Sequence, residues 1–324
     1  MTGGAGFIGS HYVRGLLADT TPALAGSEVT VLDKMTYAGT LGNLPVDDPR
    51  LTVVRGDVCD AKLLSGLLPG HDAVVHFAAE SHVDRSLISG APFITTNVLG
   101  TQTLLEACRT SRVARIVHVS TDEVYGSVPS GSRHEDDLLL PNSPYAASKA
   151  ASDLVVRAYW RSHGLDVSTT RCSNNYGAYQ MVEKAIPLFV TNLLDGLEVP
   201  LYGDGTQVRE WLHVADHCRA IDLVLLKGDA GEIYNISAGD ELSNRDLVGR
   251  LLDLCGAGWD RVRHVDDRKA HDQRYSVNTT KIREKLGFEP RISLADGLTE
   301  VVNWYRDNRW WWEPLRRRRV DLTS

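Results

Sequence analysis

The chain has 324 residues, 43% of them hydrophobic and 24% charged, and a formal net charge of −7. That length buries a sizeable core in one large or two fused domains, and the composition excludes disordered and fibrous classes. A sequence pI near 5.9 argues against a nucleic-acid partner or an anionic membrane surface, and no apolar run reaches membrane-spanning length.

The chain opens directly into Gly3-Gly-Ala-Gly-Phe-Ile-Gly9. Glycines at 3, 6 and 9 suit a tight turn, a close backbone approach to a pyrophosphate, and close helix–strand packing. Backbone N–H groups at the start of the following helix then face the phosphates. Met1-Thr2 leaves little room for the strand that normally precedes such a loop, so either a very short first strand or a start further upstream is expected. A helix is predicted over His11–Asp19. Val- and Ile-rich runs at Glu28–Asp33, Leu51–Arg55, Ala73–Phe77, Arg115–Ser120 and Asp166–Arg171 read as strands buried on both faces. Helical patterns lie between them at Ala61–Leu68, Ile94–Ser111 and Pro144–Ser162. Their alternation predicts an α/β fold with a doubly wound parallel sheet.

Asp33 closes the second predicted strand, where an adenosine ribose would lie. Its carboxylate accepts from both ribose hydroxyls and repels a 2′-phosphate, which favours NAD over NADP. Asp57, in Gly56-Asp57-Val58, either meets the adenine or caps the next helix. Ser120-Thr-Asp-Glu-Val-Tyr-Gly126 ends a later strand, where active sites of parallel sheets sit. Tyr145-Ala-Ala-Ser-Lys149 places a phenol and an ammonium on one helix face. The lysine charge favours the phenolate, so the tyrosine can serve as a base.

The second half changes character. Glu183–Gly196, Ser243–Cys255 and Leu294–Asn308 read as helices, and Val199–Tyr202 and Arg209–His213 as short strands. A smaller, partly interleaved α/β substrate domain is expected, with 1–170 plus about 209–235 forming the cofactor domain and 171–208 plus about 236–324 the substrate domain. The basic run Arg316 to Arg319 reads as a solvated tail. The five cysteines, Cys59, Cys108, Cys172, Cys218 and Cys255, are odd in number and lack C-x-x-C spacing. Neither a disulfide framework nor a metal site is expected, and the cytoplasm is the default location.

These motifs together resemble the extended short-chain dehydrogenase/reductase superfamily, which implies a Rossmann-type sheet. Within it the chain resembles the dTDP-glucose 4,6-dehydratase family through Thr121-Asp122-Glu123-Val-Tyr-Gly126, Leu32-Asp-Lys-Met-Thr-Tyr-Ala-Gly39 and His76-Phe-Ala-Ala-Glu-Ser-His-Val-Asp84. Arg171-Cys-Ser-Asn-Asn-Tyr-Gly177, Tyr202-Gly-Asp-Gly205 with Arg209-Glu-Trp211, Asp267-Arg-Lys-Ala-His-Asp272 and Trp311-Trp312-Glu-Pro314 extend the resemblance over nearly the whole chain. Its most specific element is the adjacent acid pair. The resemblance implies conversion of dTDP-glucose to dTDP-4-keto-6-deoxyglucose and water. Tyr145 would deprotonate the 4-hydroxyl during hydride transfer to NAD, Glu123 would remove the C5 proton, Asp122 would protonate the departing 6-hydroxyl, and the hydride would return to C6. Thr121 would bond the 4-hydroxyl, and Lys149 would also hold the nicotinamide ribose.

Carried over by position, the cofactor contacts would be Gly3, Gly6, Phe7, Ile8, Gly9, Asp33, Lys34, Thr36, Ala38, Gly39, Asp57, Val58, Phe77, Ala78, Ala79, Ser81, Thr96, Tyr145, Lys149 and Asn174. The nucleotide-sugar contacts would be Ser81, His82, Thr121, Asn174, Glu183, Lys184, Pro200, Tyr202, Arg209, Asn244, Arg268 and His271, with Arg209 on the diphosphate. Ala178, Met181-Val182 and Ala270 depart from the family pattern. The resemblance also implies a homodimer through a four-helix bundle, and Leu104, Leu105, Leu154, Val155 and Tyr159 are read as apolar residues beyond what one sheet face covers. The competing readings are another NAD-dependent nucleotide-sugar epimerase or decarboxylase, and, from a different class, a non-catalytic NAD-binding regulator.

Overall fold

A computed structural model describes residues 1–268 and 271–321. The first half interleaves α1 (Phe7–Leu17), β1 (Val29–Asp33), β2 (Leu51–Arg55), α2 (Ala61–Leu67), β3 (Ala73–His76), α3 (Val83–Ile88), a single turn α4 (Ala91–Phe93), a π-helical segment (Ile94–Leu99), α5 (Gly100–Ser111), β4 (Arg115–Thr121), α6 (Pro144–His163) and β5 (Val167–Cys172). The second half adds β6 (Asn174–Tyr176), α7 (Ala185–Leu194), β7 (Val199–Tyr202), β8 (Val208–His213), α8 (Val214–Lys227), β9 (Ile233–Ile236), β10 (Asp240–Ser243), α9 (Asn244–Cys255), β11 (Val262–Val265), α10 (Thr280–Leu286), α11 (Leu294–Asp307) and α12 (Arg309–Asp321).

The first strand is as short as the opening residues allow. Thr2 bridges in parallel to both Leu32 and His76. Its N–H donates to Val75 O at 3.2 Å, and Phe77 N–H donates to its carbonyl at 3.0 Å. This one residue joins β1–β2 to β3–β4–β5–β9, which produces the strand order of a doubly wound dinucleotide-binding sheet. All four pairings within those groups that involve β4, β5 or β1 are parallel. β4 is buried along almost its whole length, because helices cover both faces and leave no polar side for alternation to mark.

On one face, α1 and α8 bury Tyr12, Leu212, Val214, Ile221 and Val224 against Tyr234 and Ile236. On the other, α2, α5 and α6 bury Leu64, Leu104, Leu105, Cys108 and Val156 against Ile116 and Val167. Leu104 and Leu105 therefore belong to the internal core, at 1% and 2% exposure, and do not form surplus surface as expected. The 3.6-residue period places them on the sheet side of α5. Leu154, by contrast, is 59% exposed.

The second half packs its own core of Val190, Leu201, Leu247, Val301, Tyr305 and Trp312. β8 pairs with β6 and antiparallel with β10, and β7 pairs in parallel with β11. α8 packs on the large sheet and β9 pairs with β5, so the chain returns to the first half after β8.

Several elements differ from expectation. α1 starts at Phe7 rather than His11, because the last third of the glycine motif is already helical with Gly6 as its N-cap. The expected helix Ile94–Ser111 begins with a π turn, where Asn97 Oδ1 accepts from Glu80 N–H at 2.8 Å and Asn97 Nδ2 donates to the Glu80 carbonyl at 3.0 Å. Asp60, not Asp57, caps α2 by accepting from Leu63 N–H at 2.9 Å. The basic run is not a free tail at its start. Arg316 lies in α12 and pairs with Asp195 at 2.6 Å, while the side chains of Arg317 to Arg319 lie outside the described ones. Helices α8, α10 and α12 have no counterpart in the sequence reading.

Candidate active site

The carboxyl ends of the sheet strands open into a cavity of about 300 Å³. Every residue assigned to the cofactor lines it: Gly3, Gly6, Phe7, Ile8 and Gly9 from the first turn, Asp33, Lys34, Thr36, Ala38 and Gly39 after β1, and Asp57 and Val58 after β2. Phe77, Ala78, Ala79 and Ser81 follow β3, and Thr96, Tyr145, Lys149 and Asn174 complete the wall. The glycines are required by space. A Cβ on Gly3 would stand 2.5 Å from Ala78 N, one on Gly9 2.3 Å from Gly3 O, and one on Gly39 2.7 Å from Asp33 Oδ1. Asp33 is held by the N–H groups of Ala5 at 2.9 Å and Met35 at 2.8 Å. Gly6 offers no side chain to the opening N–H groups of α1, which remain available for an anion. The cradle and the strand-end carboxylate thus fit a dinucleotide with a free ribose 2′-hydroxyl. Asp57 accepts from Cys59 N–H and pairs with Lys34 at 2.7 Å.

Thr121 ends β4, and a 3-10 turn over Asp122–Tyr125 follows immediately. Thr121 Oγ1 accepts from Glu123 N–H at 3.3 Å and donates to Asp122 Oδ1 at 3.2 Å. Gly126 closes the turn with φ +70°, and a Cβ there would meet Leu140 O at 2.1 Å. Opposite it, Ser143 caps α6 through Ala146 N–H at 3.1 Å, with Pro144 preset in the first turn. Tyr145 and Lys149 project from the first two turns and are 8% and 5% exposed. The Lys149 ammonium donates to Val119 O at 2.8 Å, so it grips β4 rather than the phenol.

Burial pushes the Asp122 carboxyl well above the carboxylate range, with the Glu123 charge adding to the shift. Glu123 is also raised by burial, but Arg209, Arg268 and Lys184 pull it back. Both carboxyls are thus pushed toward the protonated form, Asp122 more strongly than Glu123, which the three cations draw back toward its charged form. Burial, then the Glu123 charge, raises Tyr145 well above the usual phenol value, and a hydroxyl contact from Thr121 offsets part of it. Desolvation lowers Lys149, and the Asp153 carboxylate opposes that effect. Asp122 Oδ2, Ser120 Oγ, Ser173 Oγ and Asn174 Oδ1 are buried polar atoms without a hydrogen-bond partner, as expected of groups that bind a ligand.

The assigned sugar-nucleotide residues fall in two groups. Ser81, Thr121, Asn174, Glu183 and Lys184 line the same cavity, and Lys184 Nζ donates to Ser81 O at 2.8 Å. His82, Pro200, Tyr202, Arg209, Asn244, Arg268 and His271 do not line it. His82 instead caps α3, accepting from Arg85 N–H at 3.5 Å. Pro200 sits in β7, and Tyr202 meets His271 edge to face at 6.1 Å with the Arg268 guanidinium 5.7 Å from its ring. Arg268 pairs with Asp84 at 3.3 Å, and His271 Nδ1 with Asp267 at 2.6 Å. Asn244 Nδ2 donates to Gln207 Oε1 at 3.5 Å. Arg209 is 6% exposed, donates to Asp272 O at 2.9 Å and covers the Tyr275 ring.

Tyr37, Glu80, Gln180 and Met181 also line the cavity but were not assigned to it from the sequence, Met181 being noted only as a departure from the family pattern. The first two lie inside quoted motifs and were legible there. The last two carry no motif, and only tertiary folding brings them in. Of the departures, Ala178 is buried and its carbonyl accepts from His11 Nε2 at 2.8 Å. Val182 is in the second-half core, and Ala270 lies outside the described residues.

Comparison with known proteins bears on the same cavity. The GDP-mannose 4,6 dehydratase family model matches residues 1–301. A dTDP-glucose 4,6-dehydratase of Streptomyces niveus is 60% identical over 318 residues, 98% of this chain and 95% of that protein. The crystal structure of DesIV, a dTDP-glucose 4,6-dehydratase from Streptomyces venezuelae with NAD and TYD bound, superposes with a TM-score of 0.96 at 63% identity, covering 97% of this chain and 98% of the other. A UDP-glucose 4-epimerase from Thermotoga maritima with UDP-glucose superposes with a TM-score of 0.88 at 30% identity, covering 95% and 98%.

Proposed function

The chain belongs to the GDP-mannose 4,6 dehydratase family, and from that premise we propose that it is an NAD-dependent dTDP-glucose 4,6-dehydratase. The observation that carries this reading is the acid pair at the end of β4, buried Asp122 and half-buried Glu123, which lines the same cavity as Tyr145 and Lys149. When bound, NAD supplies the chemistry these side chains lack, accepting a hydride from C4 of the sugar and returning it at C6.

The residues divide the remaining work. Tyr145 takes the proton of the 4-hydroxyl, and Thr121 orients that hydroxyl. Burial and the Glu123 charge oppose the phenolate, and the Thr121 hydroxyl offsets part of that. Once C4 is a ketone, the C5 hydrogen is acidic, and Glu123, which the cations of Arg209, Arg268 and Lys184 hold nearer ionisation, removes it. Asp122, whose carboxyl burial and the Glu123 charge push toward its protonated form, delivers a proton to the 6-hydroxyl, which leaves as water. Arg209 would hold the diphosphate, and Arg268, Tyr202, His271, Asn244, Pro200 and His82 would contribute further nucleotide-sugar contacts.

Isotope labelling tests the reading. Deuterium placed at C4 of dTDP-glucose should appear at C6 of a 4-keto-6-deoxy product, with solvent hydrogen at C5. Label remaining at C4 in turned-over sugar would overturn it, since an epimerase returns the label there.

The same proposal includes a cytoplasmic homodimer. Among the described residues no helix is long and apolar enough to cross a membrane, and the cysteines are free thiols. Ile88, Ile94, Leu99 and Leu154 are 87%, 53%, 50% and 59% exposed. Ile94, Leu99 and Leu154 lie on the π segment and α6, within the two expected helices that would pair into a four-helix bundle, and Ile88 lies on α3 beside them in sequence.

A further inference from the structure

The glycine loop is held from outside the cavity by a residue at the far end of the chain. The Ala5 carbonyl accepts from Asn43 Nδ2 at 2.8 Å and from Thr40 N–H at 3.2 Å. Gly6 N–H, on the other side of that peptide, donates to Gly3 O at 3.3 Å. Asn43 is 1% exposed, so its amide oxygen cannot turn to water and needs a protein donor. Trp311 Nε1 supplies it at 2.8 Å, across 268 residues of sequence. Arg14 Nε donates to the Asn43 carbonyl at 2.8 Å, and its guanidinium lies 4.4 Å from the Tyr179 ring. Tyr179 and Trp304 in turn pack on Trp311, at 5.6 and 5.2 Å between ring centroids. Neither Asn43 nor Trp311 lines the cavity, and the family-model match ends at residue 301, before Trp311.

We propose that Trp311 is a positioning residue for NAD: through the Asn43 amide it fixes the Ala5 carbonyl, and with it the loop that presents the N–H groups of Phe7 to Gly9 to the pyrophosphate. The amide has one donor side and one acceptor side, and each has a single buried use. Without the indole N–H, the amide oxygen is left buried and unpaired, at a cost comparable to a lost hydrogen bond. Turning the amide to recover a partner would release Ala5. A loop already set in its bound shape loses less freedom when ligand arrives, so the link raises cofactor affinity without touching the cofactor. It also ties retention of NAD to the docking of the last helix against the first half. The inference rests on the NAD part of the proposed function and not on the sugar chemistry.

The test is Trp311→Phe, which keeps most of the ring and removes the donor. The dissociation constant for NAD, titrated into cofactor-stripped protein, should rise roughly fivefold to tenfold, and the protein should retain less NAD on purification. Asn43→Ala should weaken NAD binding at least as much, and the double variant no more than Asn43→Ala alone, because both cut one path. Trp304→Phe disturbs the same aromatic packing without the link. It should lower the melting temperature and leave NAD affinity at the parent value. Parent-like affinity in Trp311→Phe, an equal loss in Trp304→Phe, or additive losses in the double variant would each overturn the proposal. Should Trp311→Phe not fold, parent-like affinity in Asn43→Ala overturns it instead. A parent protein with no affinity for NAD would refute the functional reading, whereas a parent that binds NAD and an unaffected Trp311→Phe would refute only the positioning role.

Discussion

Asp122 and Glu123 are neighbours in sequence with opposite proposed tasks, and their surroundings differ accordingly. Asp122→Asn and Glu123→Gln keep shape and remove the acid or the base. Each should slow elimination by roughly 10²-fold or more, while first oxidation continues and a transient NADH absorbance still appears. Tyr145→Phe should remove that transient, and stopped-flow absorbance separates the cases. The same carboxyl also carries a stability cost. Asp122 has its folded pKa raised by burial, whereas in the unfolded chain it ionises near its ordinary value of about 3.9. The unfolded state therefore gains on the folded one as pH rises from that value toward the folded pKa. Asp122→Asn carries no such penalty. Its melting temperature should match or fall below the parent's near pH 4 and exceed it at neutral pH, as read by thermal scans across pH. A constant difference at all pH values would contradict the shift. Function here opposes stability, as is common for buried catalytic groups.

At the scale of elements, two short pieces place the chemistry. The turn after β4 must reverse at Gly126, where φ is +70° and the Leu140 carbonyl leaves no room for a Cβ. Gly126→Ala should cost about 1–3 kcal/mol or more in stability, from strain and the clash together. It should also lower kcat by displacing Asp122 and Glu123, with little change in NAD affinity, since the turn lies outside the glycine loop. Calorimetry and NAD titration read the two effects separately. α6 is anchored by a buried set of charges behind the site. Arg171 Nε donates to Asp153 Oδ2 at 2.9 Å and Arg171 Nη1 to Tyr125 Oη at 2.8 Å, which joins α6, β5 and the catalytic turn. Arg171 holds the Asp153 carboxyl down at about 2 although burial acts to raise it, so the pair is charged throughout the neutral range. These two elements were visible as motifs, but the pairing of Asp153 with Arg171 was not, because the two are 18 residues apart on different elements and meet only when the strand and helix pack.

At the scale of the whole molecule, the unpartnered apolar positions predict association. Light scattering at micromolar concentration should give twice the mass of a 35.7 kDa chain. Leu99→Glu with Leu154→Glu should give a monomer, because both positions are half exposed in the isolated chain and charge there is compatible with folding but not with a buried interface. A monomeric parent would remove the dimer from the reading. The apolar surface that remains is only partly the one expected from sequence, since Leu154 is exposed as expected. Leu104 and Leu105 turned out to serve the internal core, and Ile88, Ile94 and Leu99 remain exposed.

The sequence by itself determined the parallel β–α alternation, the glycine loop with its ribose carboxylate at Asp33, and the Thr121, Asp122, Glu123, Tyr145 and Lys149 set. Each of these depends on local causes: strands buried on both faces, φ and space at glycines, and residues within a few positions of one another. The tertiary structure alone decided the rest. Thr2 forms a parallel bridge to both Leu32 and His76, which flank it. The long α8 had no counterpart in the sequence reading, although its amphipathic stripe is clearer than that of α6, which did. The separation of the two acids depends on Arg209, Arg268 and Lys184 arriving from distant segments, and the setting of the glycine loop on Trp311 arriving from the last helix. Electrostatics and buried hydrogen bonds act through space, so their partners are fixed only when the chain has folded.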